Sequence, residues 1–170
     1  MPADHLGETV WLAAMVAWYA IRFPFARRTR RVPVQKSHRS LADAAVLWLA
    51  FAGLFVIPLI WIVTGIPAAA NYRQPISATI LGTAIFGLAL WVFWRAHKDL
   101  GRNWSITLEI RERHQLVSNG LYALIRHPMY ASFLLMGLGQ ALLLRNWVAG
   151  LSGLIAGVLL VFKRWSGRST

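Results

Sequence analysis

The sequence predicts an all-α polytopic membrane protein of about five transmembrane helices, the last two forming a helical hairpin. Three observations predict it. Of 170 residues, 57% are hydrophobic and 14% charged, with a mean hydropathy of +0.50, too apolar for an ordinary soluble domain. Apolar stretches of roughly membrane-spanning length recur along the chain with polar breaks between them. Lys and Arg fall almost entirely in alternate breaks.

The first span is expected over residues 9–25. It is apolar apart from Arg22, near its far end, where a long side chain can snorkel to the interface. Ahead of it, Met1 to Glu8 carries Asp4 and Glu8 but no Lys or Arg, unlike the basic start of a secretory signal, so this segment is expected to stay in the protein. The basic loop that follows, Arg27-Arg28-Thr29-Arg30-Arg31 with Lys36 and Arg39, is edged by Pro24 and Pro33. It reads as a topogenic signal in contact with membrane lipids. The net charge of +12 does not require a nucleic-acid partner, because the charge lies between spans and not on one face of a soluble domain.

The second span is expected over 41–64, kinked at Pro58, and the third over 75–94, opened by Pro75 and closed by the aromatic-basic group Trp91, Trp94 and Arg95. Gly65 and Pro67 signal turns in the connection between them. The polar insert 95–128 is the largest extramembrane piece. The last apolar region breaks at Arg145-Asn146, giving spans 129–144 and 147–162. Gly150, Gly153 and Gly157 place small residues on one face of the final helix, with Gly137 and Gly139 as the counterpart across the hairpin. The whole chain, 1–170, then forms a single membrane domain.

Five spans put Lys or Arg at 27, 28, 30, 31, 36, 39, 95, 98, 102, 111, 113, 126, 163, 164 and 168 on one side and only Arg73 and Arg145 on the other. The amino end is therefore expected outside and the carboxyl end in the cytoplasm, with the insert 95–128, in an inner or plasma membrane. The chain has no cysteine, which excludes disulfides, thiolate nucleophiles and cysteine-ligated metals. The histidines at 5, 38, 97, 114 and 127 lack ligand spacing, and no metal site is expected. Oligomeric state is open, since Gly153 and Gly157 can pack within a chain or between chains.

Within the insert, Ser118 to Tyr130 stands out. Asn119-Gly120 is a turn signal. His127-Pro128 is a second, since Pro128 holds His127 extended and suits the first turn of a helix. Between them lie Tyr122 and Arg126. From spacing alone this is a cytoplasmic loop with an interfacial Tyr-Arg belt.

Three segments together carry more than spacing does. They are Leu100-Gly101-Arg102-Asn103-Trp104-Ser105, His114-Gln115-Leu116-Val117-Ser118-Asn119-Gly120-Leu121-Tyr122, and Arg126-His127-Pro128-Met129-Tyr130. With the glycine-rich apolar hairpin after them, they resemble the isoprenylcysteine carboxyl methyltransferase family and its phospholipid-methyltransferase relatives over roughly residues 75–162. The resemblance implies an integral membrane methyltransferase that uses S-adenosyl-L-methionine and acts on a lipid-like or amphipathic small molecule. It implies a cofactor pocket lined by Gln115, Leu116, Val117, Gly120, Tyr122, His127, Pro128 and Tyr130, with Arg126, His127 and Tyr130 as the catalytic set. The residue types suit the chemistry. Methyl transfer from a sulfonium is an in-line displacement that depends on orientation and exclusion of water. Aromatic faces attract the sulfonium, glycine permits close approach, and Arg126 can hold an anionic group bidentately.

Two departures from the family pattern stand out. Ser132 occupies a position where the family usually has glycine. Relatives continue past the last span with a glutamate pair and an aromatic- and arginine-rich tail, whereas this sequence ends at Lys163-Arg164-Trp165-Ser166-Gly167-Arg168-Ser169-Thr170 with no acidic residue after Glu112. A truncated or divergent member with a more open site is the corresponding expectation. The alternative is a non-catalytic membrane protein that keeps the fold as a binding or assembly component.

Overall fold

Each long helix grows from one of the apolar stretches, in a computed structural model that describes residues 5–29, 34–37, 41–100, 109–111, 120–125 and 127–166. Helix α1 (Leu6–Thr29) continues through Pro24 instead of stopping at residue 25. One lost ladder bond is tolerated in an apolar helix. Cation–π contacts brace the same stretch, with the Arg22 guanidinium 5.3 Å from the Trp18 ring centroid and that of Arg27 5.4 Å from Phe23.

The second apolar stretch is helical throughout, as α2 (Leu41–Phe51), a π-helical turn (Ala52–Val56) and α3 (Ile57–Thr64). The expected disturbance at Pro58 takes the form of this widened turn just before it. Ile57 N–H bonds back to the Ala52 carbonyl, five residues earlier, and Pro58, next in that register, has no N–H to offer Gly53. The Gly53 carbonyl is taken up from outside its helix, by Gln140 Nε2 at 3.0 Å and Ser152 Oγ at 2.8 Å.

Helix α4 (Ile76–Leu100) runs a turn and a half past the expected boundary at 94. His97 lies in that extension and is fully buried. Its Nδ1 donates to the Phe93 carbonyl at 2.8 Å, and its ring packs 4.2 Å from Phe93 and 5.2 Å from Phe25, centroid to centroid. Aromatic packing between α1 and α4 thus carries the helix beyond the apolar run. The final helices are α6 (Pro128–Leu143) and α7 (Trp147–Ser166), broken at Arg145-Asn146 as expected.

The core forms where α1, α4, α6 and the π-helical turn meet. Trp11, Met15 and Trp18 recur at i, i+4 and i+7 on α1, and Phe86, Ala89 and Phe93 at i, i+3 and i+7 on α4; they close on Leu54, Met136 and Leu143. Between α6 and α7 the contacts run in reverse order, Gly157 against Leu134, Gly153 against Gly137 and Gln140, and Gly150 against Ala141. A Cβ at Gly137 would fall 2.5 Å from the Gly153 carbonyl oxygen, which is why these backbones can touch. Gly139, expected on the same seam, instead faces Phe86 of α4.

One end of the bundle is tied by side-chain amides. Asn146 is fully buried. It accepts from Ala149 N–H at 2.9 Å as the N-cap of α7 and donates to the Pro67 carbonyl at 2.8 Å and to Asn71 Oδ1 at 2.7 Å. Asn71 Oδ1 also accepts from Trp61 Nε1 at 2.8 Å. Nearby, Arg145 pairs with Glu8 at 3.0 Å. Elsewhere a two-stranded antiparallel ribbon joins β1 (Val34–Ser37) to β2 (Glu109–Arg111). It is a non-helical addition to the expected all-α fold.

Three helical stretches, Leu6–Arg27, Ala44–Thr64 and Ile76–Asp99, are long and apolar enough to cross a membrane, and Pro128–Leu143 and Trp147–Phe162 are shorter apolar helices.

Candidate functional site

The candidate site starts from a helix too short to hold itself. Helix α5 (Leu121–Leu124) has four residues, far fewer than an isolated helix needs in water. Its anchors are the buried Leu121 side chain and a carboxylate from the end of α4. Asp99 Oδ2 accepts the Leu121 N–H at 2.9 Å, and Asp99 Oδ1 lies 3.3 Å from Arg95 Nε, one turn back on α4. The Asp99 side chain is only 12% exposed.

Gly120 precedes α5 at φ 64°, ψ −133°, a region that glycine alone enters readily. A Cβ there would stand 2.3 Å from Asp99 Oδ2, so the close approach of the carboxylate needs the glycine as much as the dihedral does. Tyr122, the next residue but one, is half-buried. Burial raises its phenol pKa, and the charge of Asp99 raises it further, so it is a neutral hydroxyl at physiological pH.

α6 begins at Pro128, in the first helical position and buried, as its missing N–H and fixed φ favour. His127, at φ −140°, ψ 68°, is the extended residue before it, and its carbonyl accepts the Ala131 N–H at 3.2 Å. The His127 and Tyr130 rings meet edge to face, with centroids 5.8 Å apart and planes at 82°. Tyr130 also packs against the small buried cluster that Ala50 of α2 forms with Ala156 and Leu160 of α7. Ser132, at the position noted above as a departure from the usual glycine, is fully buried with its hydroxyl donating to the Met129 carbonyl at 2.7 Å. The site therefore keeps its hydroxyl internally satisfied.

Of the predicted residues, Gly120, Tyr122 and His127 lie in the connection between α4 and α6, and Pro128 and Tyr130 in the first turn of α6. Gln115, Leu116, Val117 and Arg126 lie outside the described residues. Among the described residues no group of three or more His, Asp or Glu could hold a metal ion. Asp99 belongs to none of the sequence motifs that mark the site. A signal existed: it is an acid in the last turn of a helix, where the dipole disfavours negative charge, flanked by Arg95, Lys98 and Arg102.

The described residues thus give two neighbouring groups in sequence, the Asp99-anchored turn that carries the neutral Tyr122 phenol and the His127–Tyr130 aromatic pair, whose faces suit an organic cation. Fold and site define a helical membrane protein with an aromatic, carboxylate-backed loop at the mouth of its last two helices. A family model described as the isoprenylcysteine carboxyl methyltransferase family matches residues 79–166, and this chain belongs to that family. One curated relative, Protein-S-isoprenylcysteine O-methyltransferase B of Arabidopsis thaliana, is 35% identical over 54 residues, which cover 31% of this chain and 27% of the plant protein. The chain thus aligns with about a quarter of that relative's length.

Proposed function

We propose that this chain is an integral membrane methyltransferase that takes S-adenosyl-L-methionine at the Gly120–Tyr130 run and transfers its methyl group to a lipid-like or amphipathic small molecule. The observation that carries this reading is that the matched region, residues 79–166, contains the whole run Gly120-x-Tyr122-x-x-x-Arg126-His127-Pro128-x-Tyr130 and the helices that present it. The residues fit the cofactor, since the edge-to-face His127 and Tyr130 rings and the neutral Tyr122 phenol are aromatic groups whose faces attract a sulfonium. When bound, S-adenosyl-L-methionine supplies an electrophilic methyl group.

The chain's residues orient and shield. Gly120 lets the backbone come close, together with Gln115, Leu116 and Val117; Pro128 fixes the entry of α6 and so the direction of His127 and Tyr130. Arg126 binds an anionic group of substrate or cofactor. Packing of Tyr130 against α2 and α7 keeps water from the apolar side, where an acyl or prenyl chain would lie between the spans.

The proposed topology is five spans, with α6 and α7 as a transmembrane hairpin, the amino end outside, and the carboxyl end and the site in the cytoplasm. Pairing of β1 with β2 supports placing the basic loop after α1 and the insert after α4 on one side. The Asn71–Asn146 bridge supports placing the two other connections together on the opposite side.

Incubation of membranes containing the protein with S-adenosyl-L-methionine radiolabelled in the methyl group tests the proposal. Label should appear in the organic-extractable fraction and fall at least tenfold with His127→Ala. Label no greater than in membranes lacking the protein would refute it.

A further inference from the structure

Resting on the cofactor role proposed above, we infer that Asp99 is a positioning residue for the methyltransferase site, holding the Gly120–Tyr122 turn in its cofactor-binding conformation from the end of α4. The first N–H of a helix has no acceptor within its own helix, and at α5 that group, Leu121 N–H, is met by Asp99 Oδ2 at 2.9 Å. A four-residue helix cannot fix its own orientation, so an attachment to a long helix does it instead. α4 is that helix, at 25 residues.

Asp99 is poorly placed for α4 itself. A carboxylate in a final turn opposes the helix dipole, and at 12% side-chain exposure water screens it weakly. Among the described residues, Arg95 within α4 at 3.3 Å and the Leu121 amide beyond it compensate the charge. Arg95 aims the carboxylate and Gly120 clears the space for it, since any Cβ there would collide with Oδ2. The turn so held leads directly into Tyr122, whose phenol feels the same carboxylate. Asp99 itself need not touch the cofactor. Loss of the anchor leaves the ligand-facing groups present but unplaced, which weakens binding.

The test is calorimetry of S-adenosylhomocysteine with the detergent-purified full chain, as wild type, Asp99→Ala and Asp99→Asn, with melting temperatures measured in parallel. Asp99→Ala should raise Kd about tenfold or more, the scale of one lost charge-assisted hydrogen bond, and shift Tm by no more than about 2 °C, as expected for a local change at a chain of this size. Asp99→Asn keeps a carbonyl oxygen for the Leu121 N–H and should restore Kd to within about threefold of wild type. Hydrogen exchange at 120–125 in the ligand-free protein should quicken in Asp99→Ala and not in Asp99→Asn. Unchanged affinity in Asp99→Ala overturns the inference alone, and so does an Asn variant as weak as the Ala variant or a joint collapse of Tm in both. Absence of binding by the wild type overturns the cofactor reading and the inference with it.

Discussion

Gln140 Nε2 donates a 3.0 Å hydrogen bond to the Gly53 carbonyl across 87 residues of sequence, closing the gap that Pro58 opens in the second apolar helix. The same Nε2 donates to the Ala149 carbonyl at 2.7 Å, and Gln140 Oε1 accepts from Trp11 Nε1 at 3.3 Å. One buried amide thus joins α1, the π-helical turn, α6 and α7. Gln140→Leu leaves Gly53 with Ser152 alone and strands the indole N–H. Unfolding in detergent should show a loss of about 1–3 kcal/mol, and combining it with Ser152→Ala should cost more than the two single losses added, since both serve one carbonyl.

Contact between α6 and α7 depends on the missing side chain at Gly137. Gly137→Ala places a methyl group 2.5 Å from the Gly153 carbonyl oxygen, and backbone on both sides leaves it no soft neighbour to push. A loss of about 1–3 kcal/mol is expected, read as a lower melting temperature. An equal substitution at Gly87, which has nothing within 4 Å of its added Cβ, should be neutral or slightly stabilising.

The Tyr122 phenol has its pKa raised by burial and then by Asp99, so its titration has a definite sign. In the unfolded chain a tyrosine ionises near pH ~10. The folded state holds the neutral form longer, so the stability it contributes is fully present below pH ~10 and is lost as pH rises above it. Alkaline titration followed by phenolate absorbance should show a late component that Tyr122→Phe removes. Tyr122→Phe should also keep more of its neutral-pH stability than wild type does above pH ~10.

Topology can be read with single cysteines because the chain has none of its own. Ala69 lies exposed in the connection between α3 and α4, and Ala123 is exposed on α5. In intact cells Ala69→Cys should react with an impermeant thiol reagent, and Ala123→Cys should react only after permeabilisation. The opposite pattern would invert the proposed orientation.

Much of the helical frame can be read from local chemistry. Pro128 opens α6 and Asn146 caps α7 where an N1 proline and a short amide belong, and the break at Arg145-Asn146 follows from polarity alone. The π-helical turn cannot be read that way, because it is stable only while Gln140 and Ser152 serve the Gly53 carbonyl from other helices. For the same reason α4 outruns its apolar stretch: His97 is buried by Phe25 of α1, a contact with no local signature. At the site, glycine, proline and the aromatic pair were legible as a motif. Asp99 was not, since its partner amide at Leu121 lies 22 residues away and any backbone N–H looks alike in sequence.

Calorimetric titration of the detergent-purified protein with S-adenosylhomocysteine, beside a His127→Ala variant of equal melting temperature, tests the cofactor site most directly. Saturable one-to-one binding by the wild type, weakened at least tenfold in the variant, is the predicted result. No heat of binding from the wild type at millimolar ligand would contradict it.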